Sequence, residues 1–161
     1  MTASDKFLKL INSPIKFRFF LLSKLPSAFF CGVRVRFASA EKAIVTVPYK
    51  WLSQNPFRST YFACLSMAAE MSTGVLAMTH VYKRQPAISM LVQKIEADFV
   101  KKAVGTTWFE CDAGAAIKAV IQDAIDSGEA RSITVASIGK NKEGEKIANF
   151  YITWSFKAKS I

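Results

Sequence analysis

Histidine is nearly absent from this 161-residue chain: His80 is its only copy, which excludes a His-rich metal centre. Cysteine is scarce too. Cys31, Cys64 and Cys111 are odd in number, lie far apart and form no CxxC pair. They set up neither a disulfide framework nor zinc-type ligand spacing, so no metal site is expected. Reduced thiols in a cytoplasmic protein are the expected state. Cys64, inside an apolar stretch, reads as a small core residue. No glycine-rich phosphate loop and no GxSxG elbow occurs. The apolar run from Phe19 to Phe30 is broken by Lys24 and Pro26 and lacks a clean cleavage site, so it does not read as an export signal. Repeats and low-complexity segments are missing. Acidic residues are thin at the start, where the first 42 positions hold two acids against eight of the 22 lysines and arginines.

What is present is apolar and basic. A hydrophobic fraction of 51% suits a globular fold with a substantial core and argues against disorder. The formal charge of +10 attracts anions: phosphates, acidic lipid headgroups or nucleic acid. Charge alone does not choose among them. Arg34 and Arg36 alternate on a strand-like segment near Tyr49 and Trp51, but no nucleic-acid motif accompanies them and no nucleic-acid partner is expected.

The stretch from Ser59 to Met78 dominates. It is small or apolar nearly all round, with one charge at Glu70, and predicts a helix of about 30 Å. Such a helix needs cover on every side. It is long enough to cross a bilayer, but Glu70 and several hydroxyls at its centre make insertion unfavourable, and no membrane span is expected. A buried carboxylate is costly without a partner. Glu70 is therefore either a structural group paired with an arginine or a tyrosine hydroxyl, or a group with a chemical task.

Around this helix the chain alternates. Residues 4–12 and 14–24 predict two short helices, the second opened by Pro14. Val33–Phe37 and Ala43–Val47 read as strands. The loop YKWLSQNPFR leads into the long helix. Ser89–Phe99 reads as a strand with Leu91, Ile95, Ala97 and Phe99 on one face. Thr106–Cys111, Ile133–Ile138 and Ala148–Lys157 read as further strands, and residues 114–127 as an amphipathic helix ended by Gly128. His80 is expected just beyond the long helix. The class is α+β: an antiparallel sheet wrapped around one long central helix, with N-terminal helices. Residues 1–29 form a helical arm packed outside the sheet, whose deletion should leave a folded domain, and residues 30–161 form that domain.

The segment Asn55-Pro-Phe-Arg-Ser-Thr-Tyr-Phe-Ala, with Ala68-Ala69-Glu70 and Gly74 further on, resembles the thioesterase-like proteins of the hotdog fold. These include the phenylacetate-degradation type and a less characterised branch. The likeness extends over residues 30–157 and takes in the final hairpin, with Gly144 ahead of KIANFYITWSFK. It departs from the stronger thioesterase motifs, which place a histidine and glycines near the asparagine; here Gln54 precedes Asn55 and Arg58 follows.

The resemblance implies hydrolysis of acyl-coenzyme A or acyl-carrier-protein thioesters, with no separate cofactor. Asn55 and Glu70 are the catalytic candidates, with Arg58, Ser59, Thr60 and Tyr61 binding substrate. It also implies a homodimer or dimer of dimers, in which Glu70 of one subunit meets the loop of the other. The chemistry is coherent: a thioester needs a water or carboxylate to attack its carbonyl, and donors for the oxyanion that forms. The free N–H groups at a helix start provide such donors, expected near Ser59 to Tyr61. Alternatively the chain is a non-catalytic hotdog module binding an acyl ligand or a protein partner, with Asn55 simply shaping a loop turn.

Overall fold

A computed structural model describes residues 2–159 of the chain. Its N-terminal arm has three helices: α1 (Ala3–Ile11), α2 (Pro14–Lys24) and α3 (Pro26–Cys31). Local chemistry sets their ends. In α1 the Thr2 hydroxyl accepts from Asp5 N, and the Asp5 carboxylate accepts from Thr2 N, a reciprocal cap. Pro14 and Pro26 open α2 and α3, where a missing N–H costs nothing. Gly32 ends α3 in the left-handed region, at φ 82°. Helix α3 is not legible in the sequence, because six mostly apolar residues carry no period.

The arm is joined to the rest of the fold. Phe7, Ile11, Phe17, Leu21 and Ala28 are buried in the same hydrophobic core as the sheet. The Asn12 side chain pins the arm to the sheet edge by bonding both the N–H and the C=O of Ala38. The arm is thus a layer over the domain, and its deletion would open the core.

Six strands follow in one antiparallel sheet: β1 (Arg34–Ala38), β2 (Ala43–Val47), β3 (Ile88–Phe99), β4 (Thr107–Cys111), β5 (Arg131–Lys140) and β6 (Lys146–Ala158). Their spatial order is β1-β2-β4-β5-β6-β3, which leaves β1 and β3 at the edges. Along β6, Ala148, Phe150, Ile152, Trp154 and Phe156 are all buried, the apolar face their alternation predicts.

Strand β3 differs from its expected pattern. Its pairing with β6 slips between Val92 and Lys94, leaving Gln93 as the extra residue of a bulge. The slip puts Val92, opposite Trp154, and Ile95, opposite Ile152, on one face. Leu91 falls on the other face and is 63% exposed, instead of joining Ile95, Ala97 and Phe99.

The long helix, α4 (Phe62–Val81), lies in the embrace of the sheet. It keeps its predicted length but starts three residues later, because Ser59 and Thr60 are held in the preceding loop. His80 consequently falls inside its last turn, where Nε2 bonds the carbonyl of Ala40 at 3.0 Å. Helix α4 is long and apolar enough to cross a membrane, yet most of it is buried inside the fold. Its buried hydroxyls are satisfied there: Ser72 Oγ bonds Ser137 Oγ at 2.7 Å, and Thr73 Oγ1 accepts from Trp154 Nε1 at 2.8 Å. The remaining helix, α5 (Gly114–Ser127), crosses between β4 and β5. A Cβ at Gly114 would sit 2.1 Å from the carbonyl oxygen of Ala40, so no other residue fits there without moving backbone.

Candidate functional site

The loop before α4 is built from its own hydrogen bonds. Asn55 Oδ1 accepts from Phe57 N at 3.0 Å, from Ser59 N at 3.2 Å and from Ser59 Oγ at 3.2 Å. Two backbone donors on one atom identify it as the oxygen and leave Nδ2 as the free end of the amide among the described residues. Thr60 donates from both N and Oγ1 to the carbonyl of Ala103, and Tyr61 N donates to Ser53 O. A bridge between Gln54 and Thr60 closes the loop.

The N–H groups of Ser59, Thr60 and Tyr61, expected as oxyanion donors, are therefore occupied. The helix begins one residue after Tyr61, without a side-chain cap, and Cys64 and Leu65 already donate to Tyr61 O. The N–H groups of Phe62 and Ala63 are left as the open donors at the positive end of the helix. This shift could not be read from sequence, since it depends on the contact with Ala103, more than forty residues away.

A cleft of about 600 Å³ opens at this helix start. Asn55, Ser59, Thr60 and Tyr61 line it, with Phe62 and Leu65 from the helix and Phe99 to Ala103 opposite. Arg58 does not line it; it stands exposed at a left-handed turn, φ 57°. Lys101 and Lys102 supply the basic rim, a role hidden in the sequence because they read only as a turn.

Glu70 lies eight residues further along α4, about 12 Å away at 1.5 Å per residue. It lines a second cavity, of about 210 Å³, shared with Phe7, Phe17, Phe20, Met71 and Trp154. The walls are almost wholly apolar, and three of these residues come from the arm, which the site motifs gave no reason to include. Burial raises the Glu70 carboxyl above its ordinary value of 4.5. No arginine or tyrosine hydroxyl partners it among the described residues. Within one chain, then, Asn55 and Glu70 face different cavities.

The thiols are quiet by comparison. Cys64 and Cys31 meet at 3.4 Å between sulfurs, and burial together with that contact pushes Cys64 up to about 12. Burial pushes Cys111 up to about 11. Neither is a thiolate nucleophile at neutral pH. Among the described residues, no three His, Cys, Asp or Glu side chains come together as metal ligands would.

The family described as a domain of unknown function, DUF4442, matches residues 16–156, from α2 nearly to the end of β6. The chain belongs to that family. No curated protein matches it. Solved structures of the hotdog fold superpose on it over nearly their whole length. PA5026 from Pseudomonas aeruginosa, a protein of unknown function described as a probable thioesterase, aligns at TM-score 0.76 and 17% identity, covering 91% of this chain and 97% of that one. A putative thioesterase from Shewanella oneidensis aligns at TM-score 0.72 and 8% identity, covering 95% and 99%. The PaaI protein of the Escherichia coli phenylacetic acid degradation operon aligns at TM-score 0.64 and 11% identity, covering 99% and 97%. This DUF4442 chain has the hotdog fold, the fold that the resemblance of the Asn55-to-Gly74 segment implies.

Proposed function

We propose that this DUF4442 protein is an acyl thioester hydrolase, acting on acyl-coenzyme A or acyl-carrier-protein substrates in the cytoplasm. The observation that carries the reading is Glu70: a carboxylate on the central helix, without a protein partner among the described residues, beside an apolar cavity. A half-buried carboxylate without a partner, its charge disfavoured by the apolar surroundings, marks a candidate for a chemical task.

In this reading two subunits pair antiparallel along their β3 edges, and the cleft of one subunit receives Glu70 of the partner subunit. Glu70 takes a proton from water, and the water oxygen attacks the thioester carbonyl. The N–H groups of Phe62 and Ala63 hold the oxyanion. The tetrahedral species collapses, the C–S bond breaks, and the departing thiolate takes the proton from Glu70. A raised carboxyl value suits this work, bringing the base closer to neutral pH. The apolar cavity beside Glu70 takes the acyl chain. Lys101 and Lys102 at the cleft rim attract the phosphates of the carrier.

A second reading has its own support. The Asn55 oxygen and the Ser59 and Thr60 hydroxyls are all engaged in holding the loop. A non-catalytic module that binds acyl ligands would show this feature too. Glu70→Gln separates the two. Hydrolysis of acyl-coenzyme A by the wild type should fall by roughly 10² or more in the variant. No turnover by the wild type, with acyl ligands still raising Tm, would establish the binding module instead. Wild-type hydrolysis that persists unchanged in the variant would reject Glu70 as base.

A further inference from the structure

Between Asp5 and Glu41 the chain contains no acidic residue. The same stretch carries Lys6, Lys9, Lys16, Arg18 and Lys24 on the arm, and Arg34 and Arg36 on β1. None of them forms an ion pair with a described carboxylate. The same stretch also exposes apolar side chains. On α2, Ile15 is 72% exposed, Phe19 69% and Leu22 43%. Their spacing, i, i+4 and i+7, aligns them in one stripe along the helix. Phe17 and Leu21 on the opposite side are buried in the core, so the stripe is surplus to folding.

Beside the stripe runs a groove of about 400 Å³ between α2 and β1. Ile15 and Phe19 form its apolar side, and Arg18, Arg34 and Arg36 stand along it. Two of the guanidiniums are held by the fold: Arg18 lies over the Phe29 ring at 3.8 Å, and Arg36 Nε donates to Thr46 Oγ1 at 2.9 Å. Arg34 is exposed. Three like charges around one groove with no carboxylate among them repel each other unless an anion enters. An apolar stripe flanked by such a groove and by free lysines offers a bilayer surface both apolar anchors and positive charge for anionic headgroups.

We propose that α2 and the adjoining edge strand β1 dock on an anionic phospholipid bilayer, with Ile15, Phe19 and Leu22 entering the acyl boundary and a headgroup phosphate seated among Arg18, Arg34 and Arg36. Docking would be reversible, since one short helix adds limited apolar area and the charge attraction is screened by salt. The inner side of α2 contributes Phe17 to the Glu70 cavity, so a docked molecule holds that cavity one helix away from lipid. The inference does not depend on the hydrolase reading; a binding module would dock in the same way.

The test is co-sedimentation of the full chain with sucrose-loaded vesicles, either phosphatidylcholine alone or phosphatidylcholine mixed with phosphatidylglycerol. The chain should pellet with the phosphatidylglycerol vesicles at low salt and be released as salt rises. Lys16→Gln, Lys24→Gln and Arg34→Gln should each weaken binding roughly fivefold. The triple change Ile15→Ser, Phe19→Ser and Leu22→Ser should weaken it roughly tenfold or more. Melting curves and light scattering on each variant confirm fold and assembly, which substitutions at such exposed positions should leave intact. Absence of binding to phosphatidylglycerol vesicles at low salt overturns the proposal, as does equal binding to both vesicle types. So does a triple variant that changes the subunit count while wild-type chain ignores lipid; the stripe would then be a contact between copies.

Discussion

Glu70 and Asn55 carry the sharpest tests because the structure gives each two separable duties. The folded-state carboxyl of Glu70 is raised, so between its unfolded and folded values the native protein binds more protons than the unfolded chain. Stability therefore falls as pH rises through that window. Below the ordinary value of 4.5 both states are protonated and the burdening charge is gone. Glu70→Gln removes the burden, so the variant should melt above wild type at neutral pH, and the gap should close in acid. Activity should run the other way, rising with pH as the carboxylate forms. Thermal melts and rates over one pH series check both. For Asn55, Asp is the informative replacement. It keeps the oxygen that accepts from Phe57 N and Ser59 N but deletes the Nδ2 donor. Asn55→Asp should retain the wild-type Tm within a few degrees and still slow thioester hydrolysis. A large drop in Tm would mean that the amide is needed for the loop alone.

At the scale of elements, residues 1–29 offer the next test. Phe7, Ile11, Phe17, Leu21 and Ala28 are all buried in the common core. Large apolar side chains contribute about 1.5–3 kcal/mol each when fully buried, against a whole-domain stability of about 5–15 kcal/mol. Deleting the arm should abolish cooperative melting or lower Tm by tens of degrees, which calorimetry of the truncated chain would show. Strands and helices whose signal is local were legible: the alternation of β6 and the stripe of α5 state their own faces. Features fixed by distant partners were not. The start of α4 depends on Ala103, and the outward turn of Leu91 depends on a bulge set by pairing with β6. The site divides along the same line. Glu70 stood out as the one charge in an apolar helix and Asn55 through the resemblance of its loop, whereas the open donors at Phe62 and Ala63 and the arm residues around Glu70 emerge only once the chain is folded.

Across the whole molecule, the two sheet edges differ in kind. Strand β1 is short and bears Arg34 and Arg36, whereas β3 runs for 12 residues and exposes Leu91, Ile95 and Phe99. A long apolar edge is a template for another strand. Ile95→Lys, on that edge, should convert the expected dimer to monomer in sedimentation at micromolar concentration and remove hydrolysis with it; a dimer that survives would place the subunit contact elsewhere. The central position of α4 also sets a problem of timing. Its last residue, Val81, is joined to the chain while β3 to β6 are still unmade, and the sheet is complete only at Ala158. At about 5–20 residues per second, synthesis of that remainder takes roughly 4 to 15 s. For that interval the most apolar segment of the chain has only β1, β2 and the arm for cover, so a nascent chain of this architecture is a client for holding chaperones from Val81 onward until β6 arrives.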